Sequence, residues 1–238
     1  MTFKTDLEKD VNNIFASRWK KRDGRVVPDL ENLSLDNDAV QFKATVLYAD
    51  MADSTKLVDS QKQHFAAEIY KAYLRCAANI IKNEQGTITA YDGDRVMAVF
   101  LGDGKDTSAV RSALKIKYAV DEIINPLLKK QYPDTLYQLK HVVGIDTSEL
   151  FVARTGVRND SDLVWVGRAA NYAAKLCSLD GKYSTYITKA VFNSIDKSVK
   201  YGGKDNKELM WDEKVWTARN NMPIYGSIWR VMRTLCGA

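Results

Sequence analysis

The stretch ATVLYADMADST, residues 44–55, passes from an apolar run to two acidic residues, Asp50 and Asp53. A short apolar run that is followed by small polar residues predicts a buried strand. The hydroxyl of Ser54 or Thr55 then predicts the start of a helix, because such side chains cap the free N–H groups of a first turn. A strand that should be buried therefore ends on a carboxylate, which makes Asp50 the first candidate functional residue.

A second acidic position, Asp94, lies in the segment TITAYDGDRVMAVFL, residues 87–101. Its two apolar runs predict strands joined by the hairpin turn DGD. If these strands lie beside the first, Asp50 and Asp94 meet at one edge of the sheet. Carboxylates and substrate phosphates are ligands that Mg²⁺ prefers, and two such ions polarise an attacking hydroxyl and a phosphoryl group together. Spacing alone leaves open the alternative that Asp50 caps a turn and Asp94 serves only the hairpin.

Composition narrows the classes of function. The chain has 238 residues, of which 45% are hydrophobic, and a net charge of +5 that is spread along the sequence. This disfavours a nucleic-acid-binding protein and fits a polyphosphate nucleotide as ligand. No apolar run is long enough for a membrane span or a signal peptide, so we expect a cytoplasmic protein. Cys76, Cys177 and Cys236 have neither disulfide nor zinc-ligand spacing, and the isolated His64 and His141 predict surface or packing roles.

The chain divides into an N-terminal extension, residues 1–40, and a compact domain, residues 41–238. The extension is predicted to form a helix over residues 5–22 and then a linker. In the domain, strands and helices alternate without a strict βαβ rhythm. This order predicts an α+β fold, a mostly antiparallel sheet with packed helices.

Apolar periodicity predicts the main elements of the domain. Two long helices are expected over residues 54–83 and 107–130, and a third helix is expected to begin directly after Gly167. The segment LKHVVGIDTSELFVARTG, residues 139–156, predicts a hairpin of two strands. The end of the chain predicts two further strands with a turn at residues 220–223.

Three segments, taken in order, resemble the motifs of class III nucleotidyl cyclases. They are VLYADMADST, then GTITAYDGDRVMAVF, then VGIDTSELFVARTG followed by DLVWVGRAANYAAKL, within residues 44–179. The resemblance implies a class III catalytic domain with a ferredoxin-like core. It also implies that Asp50 and Asp94 bind two Mg²⁺ or Mn²⁺ ions, with the Met51 backbone as a further metal or phosphate contact. The turn with Ser54 and Thr55 would hold phosphates, and Asn171 would orient the ribose.

The sequence departs from the family pattern in its charged residues. The arginine that usually follows the asparagine by four residues is Lys175, which keeps the charge but lacks a planar guanidinium. Either Lys175 or the nearby Arg168 would then stabilise the transferring phosphoryl group. Lys214 and Arg219 fall roughly where the family keeps a triphosphate-contacting cation, and either could equally be a surface charge.

The resemblance implies intramolecular cyclisation of a nucleoside triphosphate. In the class III fold, the metal-binding aspartates of one chain face the asparagine and the cation of another. Because this chain carries both halves, we expect a homodimer with two shared active sites, without nucleic acid or membrane as partner. The alternative is a degenerate cyclase-like domain that binds a nucleotide without turnover.

The expected substrate follows from two positions that read the purine base in related enzymes. These positions are Ala90, four residues before Asp94, and Val164, three residues before Gly167. Neither side chain forms a hydrogen bond, so the adenine-reading pair and the guanine-reading glutamate are both absent. In this respect the chain resembles the pyrimidine cyclases of bacterial Pycsar anti-phage systems. We therefore expect UTP as the first substrate and CTP as the second, with an adenylate or guanylate cyclase as the alternative.

Overall fold

A computed structural model describes residues 2–179 and 181–232 of the chain. Cys236 lies outside the described residues. In the described part, no helix combines the length and the apolar composition that a membrane span requires.

The described residues form eight α-helices and eleven strands. The helices are α1 (Phe3–Ala16), α2 (Ser54–Ser60), α3 (Gln63–Asn83), α4 (Lys105–Tyr118), α5 (Asn125–Gln131), α6 (Arg168–Leu176), α7 (Lys189–Ser194) and α8 (Lys197–Lys200). The strands are β1 (Lys20–Asp23), β2 (Asp38–Met51), β3 (Thr87–Asp92), β4 (Arg95–Phe100), β5 (His141–Val157), β6 (Asp160–Val166), β7 (Thr185–Thr188), β8 (Tyr201–Gly202), β9 (Glu208–Leu209), β10 (Asp212–Trp216) and β11 (Met222–Ser227).

One large sheet has the strand order β10-β11-β7-β5-β2-β4-β3. β1 pairs in parallel with the start of β2, and β6 pairs with the second half of β5. The pair of β5 and β7 is also parallel. Every other pair of strands described in this sheet is antiparallel. The prediction of an α+β fold with a mostly antiparallel sheet is confirmed.

Helices cover both faces of the sheet, and the two faces of β2 show how. Its side chains alternate in direction, as in any strand. Leu47, Ala49 and Met51 pack in one core with apolar residues of α3, α4 and α7. Val46 and Ala44 pack on the opposite face in a second core that includes the inner face of α6. By the same alternation, the side chain of Asp50 lies on the α6 face.

Two predicted elements differ from the structure in where the chain changes direction. The helix expected over residues 54–83 is interrupted: α2 ends at Ser60, and Gln61 and Lys62 have extended backbone before α3 begins. The hairpin expected over residues 139–156 is the single long strand β5. Its polar centre suggested a turn, but this centre includes the buried Asp146, whose charge has partners elsewhere in the fold.

Other elements agree more closely with the sequence. The helix predicted over residues 107–130 extends from α4 through a π-helical turn, Ala119–Ile124, into α5. Helix α6 begins directly after Gly167, as predicted. The two C-terminal strands are β10 and β11, connected through Asn220 and Asn221, which both have left-handed backbone.

The N-terminal extension contributes a strand to the large sheet. Helix α1 ends at Ala16, earlier than the predicted helix over residues 5–22. Residues 20–23, expected at the end of that helix and the start of the linker, form β1 and pair with residues 38–41. The proposed domain boundary at residue 41 therefore falls inside β2, and the division into two domains stays a prediction.

Candidate active site

Asp50 lies at the end of β2, where this strand has partners on both sides. In the strand registers, Asp50 is opposite Arg95 of β4 and Val142 of β5. The backbone of Asp50 is therefore held by the centre of the sheet, while its half-buried side chain faces the α6 layer. Behind it, the buried Tyr73 of α3 donates a hydrogen bond of 3.4 Å to the Asp50 carbonyl oxygen. A carboxylate in this position is oriented by the fold rather than by solvent.

Asp94 lies beside the same end of β2, in the two-residue turn between β3 and β4. Gly93 precedes it with φ of 60°, which is the conformation that a tight hairpin with glycine at its first position requires. Burial, together with the nearby Asp94 carboxylate, raises the pKa of Asp50 to about 6. The turn thus brings two acidic groups together, and the Asp94 carboxylate disfavours a negative charge on Asp50.

This pair of carboxylates fits a divalent cation. A cation between Asp50 and Asp94 would offset their repulsion, and both oxygens are hard ligands of the kind that Mg²⁺ and Mn²⁺ take. Among residues 2–179 and 181–232, no group of three or more His, Cys, Asp or Glu side chains forms a metal site. The remaining ligands would therefore come from phosphate, water or backbone, as in sites that bind metal together with a nucleotide.

The residues that follow Asp50 lead from the end of β2 into helix α2, and Ser54 and Thr55 do not line the cavity beside Asp50. The Met51 side chain is buried in the core, while its backbone N–H donates a hydrogen bond to the Asp50 carboxylate. Ser54 and Thr55 form the first turn of α2. Asp53 precedes them with left-handed backbone, and its carboxylate accepts a hydrogen bond of 2.7 Å from Lys56 instead of capping the helix.

A cavity of about 360 Å³ opens beside Asp50. Its lining includes Asp53 and Lys140 on one side and Cys177 on the other. The sequence analysis did not identify Lys140, which reaches this position because its carbonyl oxygen accepts a 2.9 Å hydrogen bond from the N–H of Ala52. Only the register of β2 and β5, which places the next residue opposite Met51, could have revealed it.

Asn171 and Lys175 lie one turn apart on the exposed face of α6, away from the sheet. The Asn171 side-chain amide donates a hydrogen bond of 3.2 Å to the Gly167 carbonyl oxygen. Lys175 forms no ion pair with the described residues and is free to bind an anion. Neither residue lines the cavity beside Asp50.

The two halves of the site are separated by the directions in which their side chains point. The N–H of Ala169, in the first turn of α6, donates to the Ser148 hydroxyl, and the last turn of α6 packs on Gly144, which is opposite Tyr48 in the register. Helix α6 thus runs along the sheet toward Asp50, but Asn171 and Lys175 face away from the sheet whereas Asp50 faces the sheet side of the helix. The sequence-predicted residues therefore form a metal half, with Asp50 and Asp94, and a transition-state half, with Asn171 and Lys175.

Arg168 has a structural partner. Its guanidinium donates to both carboxylate oxygens of the fully buried Asp146, at 2.9 and 3.3 Å, and to the Thr147 carbonyl oxygen at 2.7 Å. The Thr188 hydroxyl also donates to Asp146, at 2.6 Å. Burial raises the pKa of Asp146, and the bonds from Thr188 and Arg168 oppose this shift. Of the two cations considered, Lys175 is the one whose charge remains available.

Comparisons with known proteins identify the family. No protein-family model matches the chain. A uridylate cyclase from Xanthomonas perforans is 51% identical over 231 residues, which cover 97% of this chain and 98% of that protein. A uridylate cyclase from Burkholderia cepacia is 50% identical over 234 residues, with 97% and 99% coverage. This chain belongs to the class III nucleotidyl cyclase family.

Solved structures agree with the fold of this cyclase. The adenylyl cyclase CyaB from P. aeruginosa superposes with a TM-score of 0.65 at 21% identity, covering 84% of this chain and 99% of that one. The guanylyl cyclase Cya2 gives a TM-score of 0.67 at 17% identity, covering 82% and 96%. At these identities the likeness shows the fold, and the full-length relatives show that the chain is a nucleotidyl cyclase.

The two positions predicted to read the base lie on different strands of this cyclase. Ala90 is on β3, half-buried against the second core. Val164 is on β6 and is 38% exposed. No strand pair joins β3 and β6 in the described sheet, so one chain does not place these two positions on neighbouring strands.

The two C-terminal cations differ in what they border. The Lys214 ammonium lies 5.5 Å from the ring centre of Tyr183. The Arg219 guanidinium lies 5.7 Å from the ring centre of Tyr172 of α6 and 6.0 Å from that of Trp216. Arg219 thus borders the helix that carries Asn171, and it forms no ion pair with the described residues. It is the better candidate for a triphosphate contact.

The different roles of Arg168 and Lys175 predict different effects on stability. Arg168→Ala should lower the free energy of unfolding by roughly 2–3 kcal/mol, because it leaves the buried Asp146 carboxylate without its cation; the half-exposed guanidinium keeps the loss below that of a fully buried pair. Lys175→Ala should change it by no more than about 0.5 kcal/mol. Urea unfolding at neutral pH measures both values. Equal stability of the two variants would contradict the structural role of Arg168.

Proposed function

We propose that this cyclase converts a pyrimidine nucleoside triphosphate, UTP before CTP, to the 3′,5′-cyclic monophosphate and pyrophosphate. The product would act in the cytoplasm as a second messenger of anti-phage defence. The observation that carries the proposal is the pair of adjacent carboxylates, Asp50 and Asp94. In this nucleotidyl cyclase they lie at one end of neighbouring strands of the sheet. Pyrimidine preference is supported by the relatives named uridylate cyclase and by the side chains at Ala90 and Val164.

The reaction requires positioning more than a protein nucleophile. The 3′-oxygen of the ribose bonds to the α-phosphorus, its proton leaves, and the bond from the α-phosphorus to the bridging oxygen of pyrophosphate breaks. Asp50 and Asp94 would hold Mg²⁺ or Mn²⁺, two ions per site, and bound metal would supply Lewis-acid polarisation. Asn171 orients the ribose, and Lys175 stabilises negative charge on the phosphoryl group. The backbone of Met51 and the turn with Ser54 and Thr55 contact the phosphates.

The separation of the two halves supports a homodimer with shared sites. Asn171 and Lys175 face outward from α6, away from the sheet, whereas Asp50 faces the inner side of the α6 layer. In a two-fold symmetric dimer, the metal half of each copy would meet the transition-state half of the other, which gives two complete sites. Arg219 borders the transition-state half and would contact the triphosphate from that side.

The substrate preference has a physical argument as well. A site that forms hydrogen bonds with one base rejects others strongly, whereas an apolar pocket rejects them weakly. The aliphatic side chains of Ala90 and Val164 offer no hydrogen bond to a purine edge, so a purine gains no advantage there. The side chains of Tyr48 and Tyr91, beside the two aspartates, are the nearest candidates for contacts with the smaller ring.

The metal half is tested by removing its ligands. Asp50→Ala and Asp94→Ala should each abolish formation of cyclic nucleotide at saturating Mn²⁺, and the double variant should be no worse than either single variant, because the two ligands act as a unit. His64→Ala, on an exposed residue outside the site, is the control and should retain activity close to wild type. Circular dichroism checks the fold of each variant. Near-normal turnover by either single variant would mean that the two-carboxylate site is wrong.

The shared site is tested by mixing inactive proteins. Asp50→Ala removes the metal half and Asn171→Ala removes the transition-state half, so a heterodimer of the two keeps one intact site. We expect the mixture to regain up to about one quarter of wild-type activity if subunits exchange at random. Exchange itself is measured with fluorophore-labelled copies. A mixture that exchanges subunits and remains inactive would count against sites formed between chains.

Substrate identity is tested by competition among the four ribonucleoside triphosphates. Equal concentrations of ATP, GTP, CTP and UTP are incubated with the enzyme and Mn²⁺, and mass spectrometry quantifies the cyclic products. We expect cyclic UMP to dominate and cyclic CMP to come second. Dominant cyclic AMP or cyclic GMP would overturn the pyrimidine preference and leave the cyclase assignment in place. No cyclic product from any of the four would favour a domain that binds nucleotide without turnover.

A further inference from the structure

Helix α1 presents an apolar stripe that none of the described residues covers. Phe3, Leu7, Val11 and Ile14 recur at helical spacing on one face, and Phe15 extends that face. Their side chains are 48–82% exposed, and α1 contains no buried residue. A surface helix of a globular protein normally turns such a stripe toward a core. Exposed apolar side chains gathered on one helix face mark an interaction surface.

The helix is nevertheless fixed to the body of the protein at its C-terminal end. The side-chain amide of the buried Asn37 donates hydrogen bonds of 2.8 Å to the carbonyl oxygens of Ile14 and Ser17. Just beyond the helix, Trp19 packs edge-on against Phe151 of β5, with ring centres 4.9 Å apart. The base of α1 is therefore anchored while its apolar face remains open, as expected for an arm that reaches another molecule.

We propose that the apolar face of α1 docks on a second copy of this chain and stabilises the dimer that completes the active sites. This inference rests on the proposed shared-site homodimer. Asn37 lies directly before β2, at the end of that strand farthest from Asp50 and nearer to the start of α6. Helix α1 therefore leaves the sheet at the end away from Asp50, where it can contact a second copy without covering the metal half. With 14 residues, α1 is about 21 Å long, enough to extend across such a neighbour.

Buried area and charge both favour a second copy as the occupant. Each of the five large apolar side chains of α1 would bury on the order of 100 Å² on docking. If both copies contribute such a helix, the total is about 1,000 Å², which reaches the size of a specific interface. The rest of α1 carries two lysines and three acidic residues, a net charge of −1. Helices that bind anionic membranes are instead rich in lysine and arginine on the polar face.

The test changes the apolar face and leaves the fold of each copy intact. Leu7→Glu with Ile14→Glu places two charges in the stripe, while Asn12→Glu with Ala16→Glu adds the same charge on the opposite face of the same helix. Sedimentation velocity over a range of protein concentrations gives the dimer dissociation constant of each full-length protein. We expect at least a tenfold increase for the stripe variant and less than a twofold change for the control. Thermal unfolding followed by circular dichroism verifies that both variants fold.

Activity distinguishes this inference from the proposed function. The sedimentation result needs no substrate, so it stands even if no triphosphate is cyclised. If the wild type is active, the specific activity of the stripe variant should be low at dilute protein and should recover as its concentration is raised. Equal dissociation constants for the stripe variant and the control would overturn the inference. So would a wild type that stays monomeric at all concentrations, or one that is monomeric and binds anionic vesicles through α1.

Discussion

The pairing of β2 with β5 is the constraint on which the candidate active site depends. Thirteen residues of β2, from Ala39 to Met51, pair without a break with the residues of β5 from Ala153 back to His141. This register fixes Asp50 near one end of the ladder and fixes Ser148, which accepts the hydrogen bond from the first turn of α6, further along. A shift of one residue would turn Asp50 onto the opposite face, where α3 and α4 pack. The same backbone hydrogen bonds thus set the position of the metal half and the path of α6 along the sheet.

Two contacts between β5 and α6 then orient the transition-state half. Gly144 allows α6 to approach closely, because a Cβ atom there would lie 2.1 Å from the Ala173 carbonyl oxygen. Two residues along β5, the buried Asp146 carboxylate binds the guanidinium of Arg168 at the start of α6. With its inner face held in this way, α6 turns Asn171 and Lys175 outward. The outward direction of Asn171 and Lys175 is therefore a consequence of core packing, and it is the observation behind the proposed dimer.

The sequence predicted correctly the elements whose structure depends on neighbouring residues. It failed for elements whose structure depends on partners far away in the sequence. The end of β2, the turn that carries Asp94 and the start of α6 each depend on neighbouring residues, and they were predicted. The hairpin expected over residues 139–156 was wrong because Asp146 looks like a turn residue locally. Its partners, Arg168 and Thr188, follow it by 22 and 42 residues. Lys140 was missed for the same reason, since only the strand register places it beside Asp50. The roles assigned to the site residues remain predictions.

The departures from the family pattern are accompanied by local compensation of charge. Asp53 adds a carboxylate beside the phosphate turn, but Lys56 donates a hydrogen bond to it and lowers its pKa, so that the pair adds no net negative charge. Lys140 then adds a positive charge at the cavity beside Asp50. On α6, Arg168 at the first position of the helix neutralises the buried Asp146, and Lys175 is at the exposed position four residues after Asn171. Positively charged side chains therefore lie on both halves of the site, Lys140 on the metal half and Lys175 on the transition-state half. Such charges are what phosphoryl transfer needs.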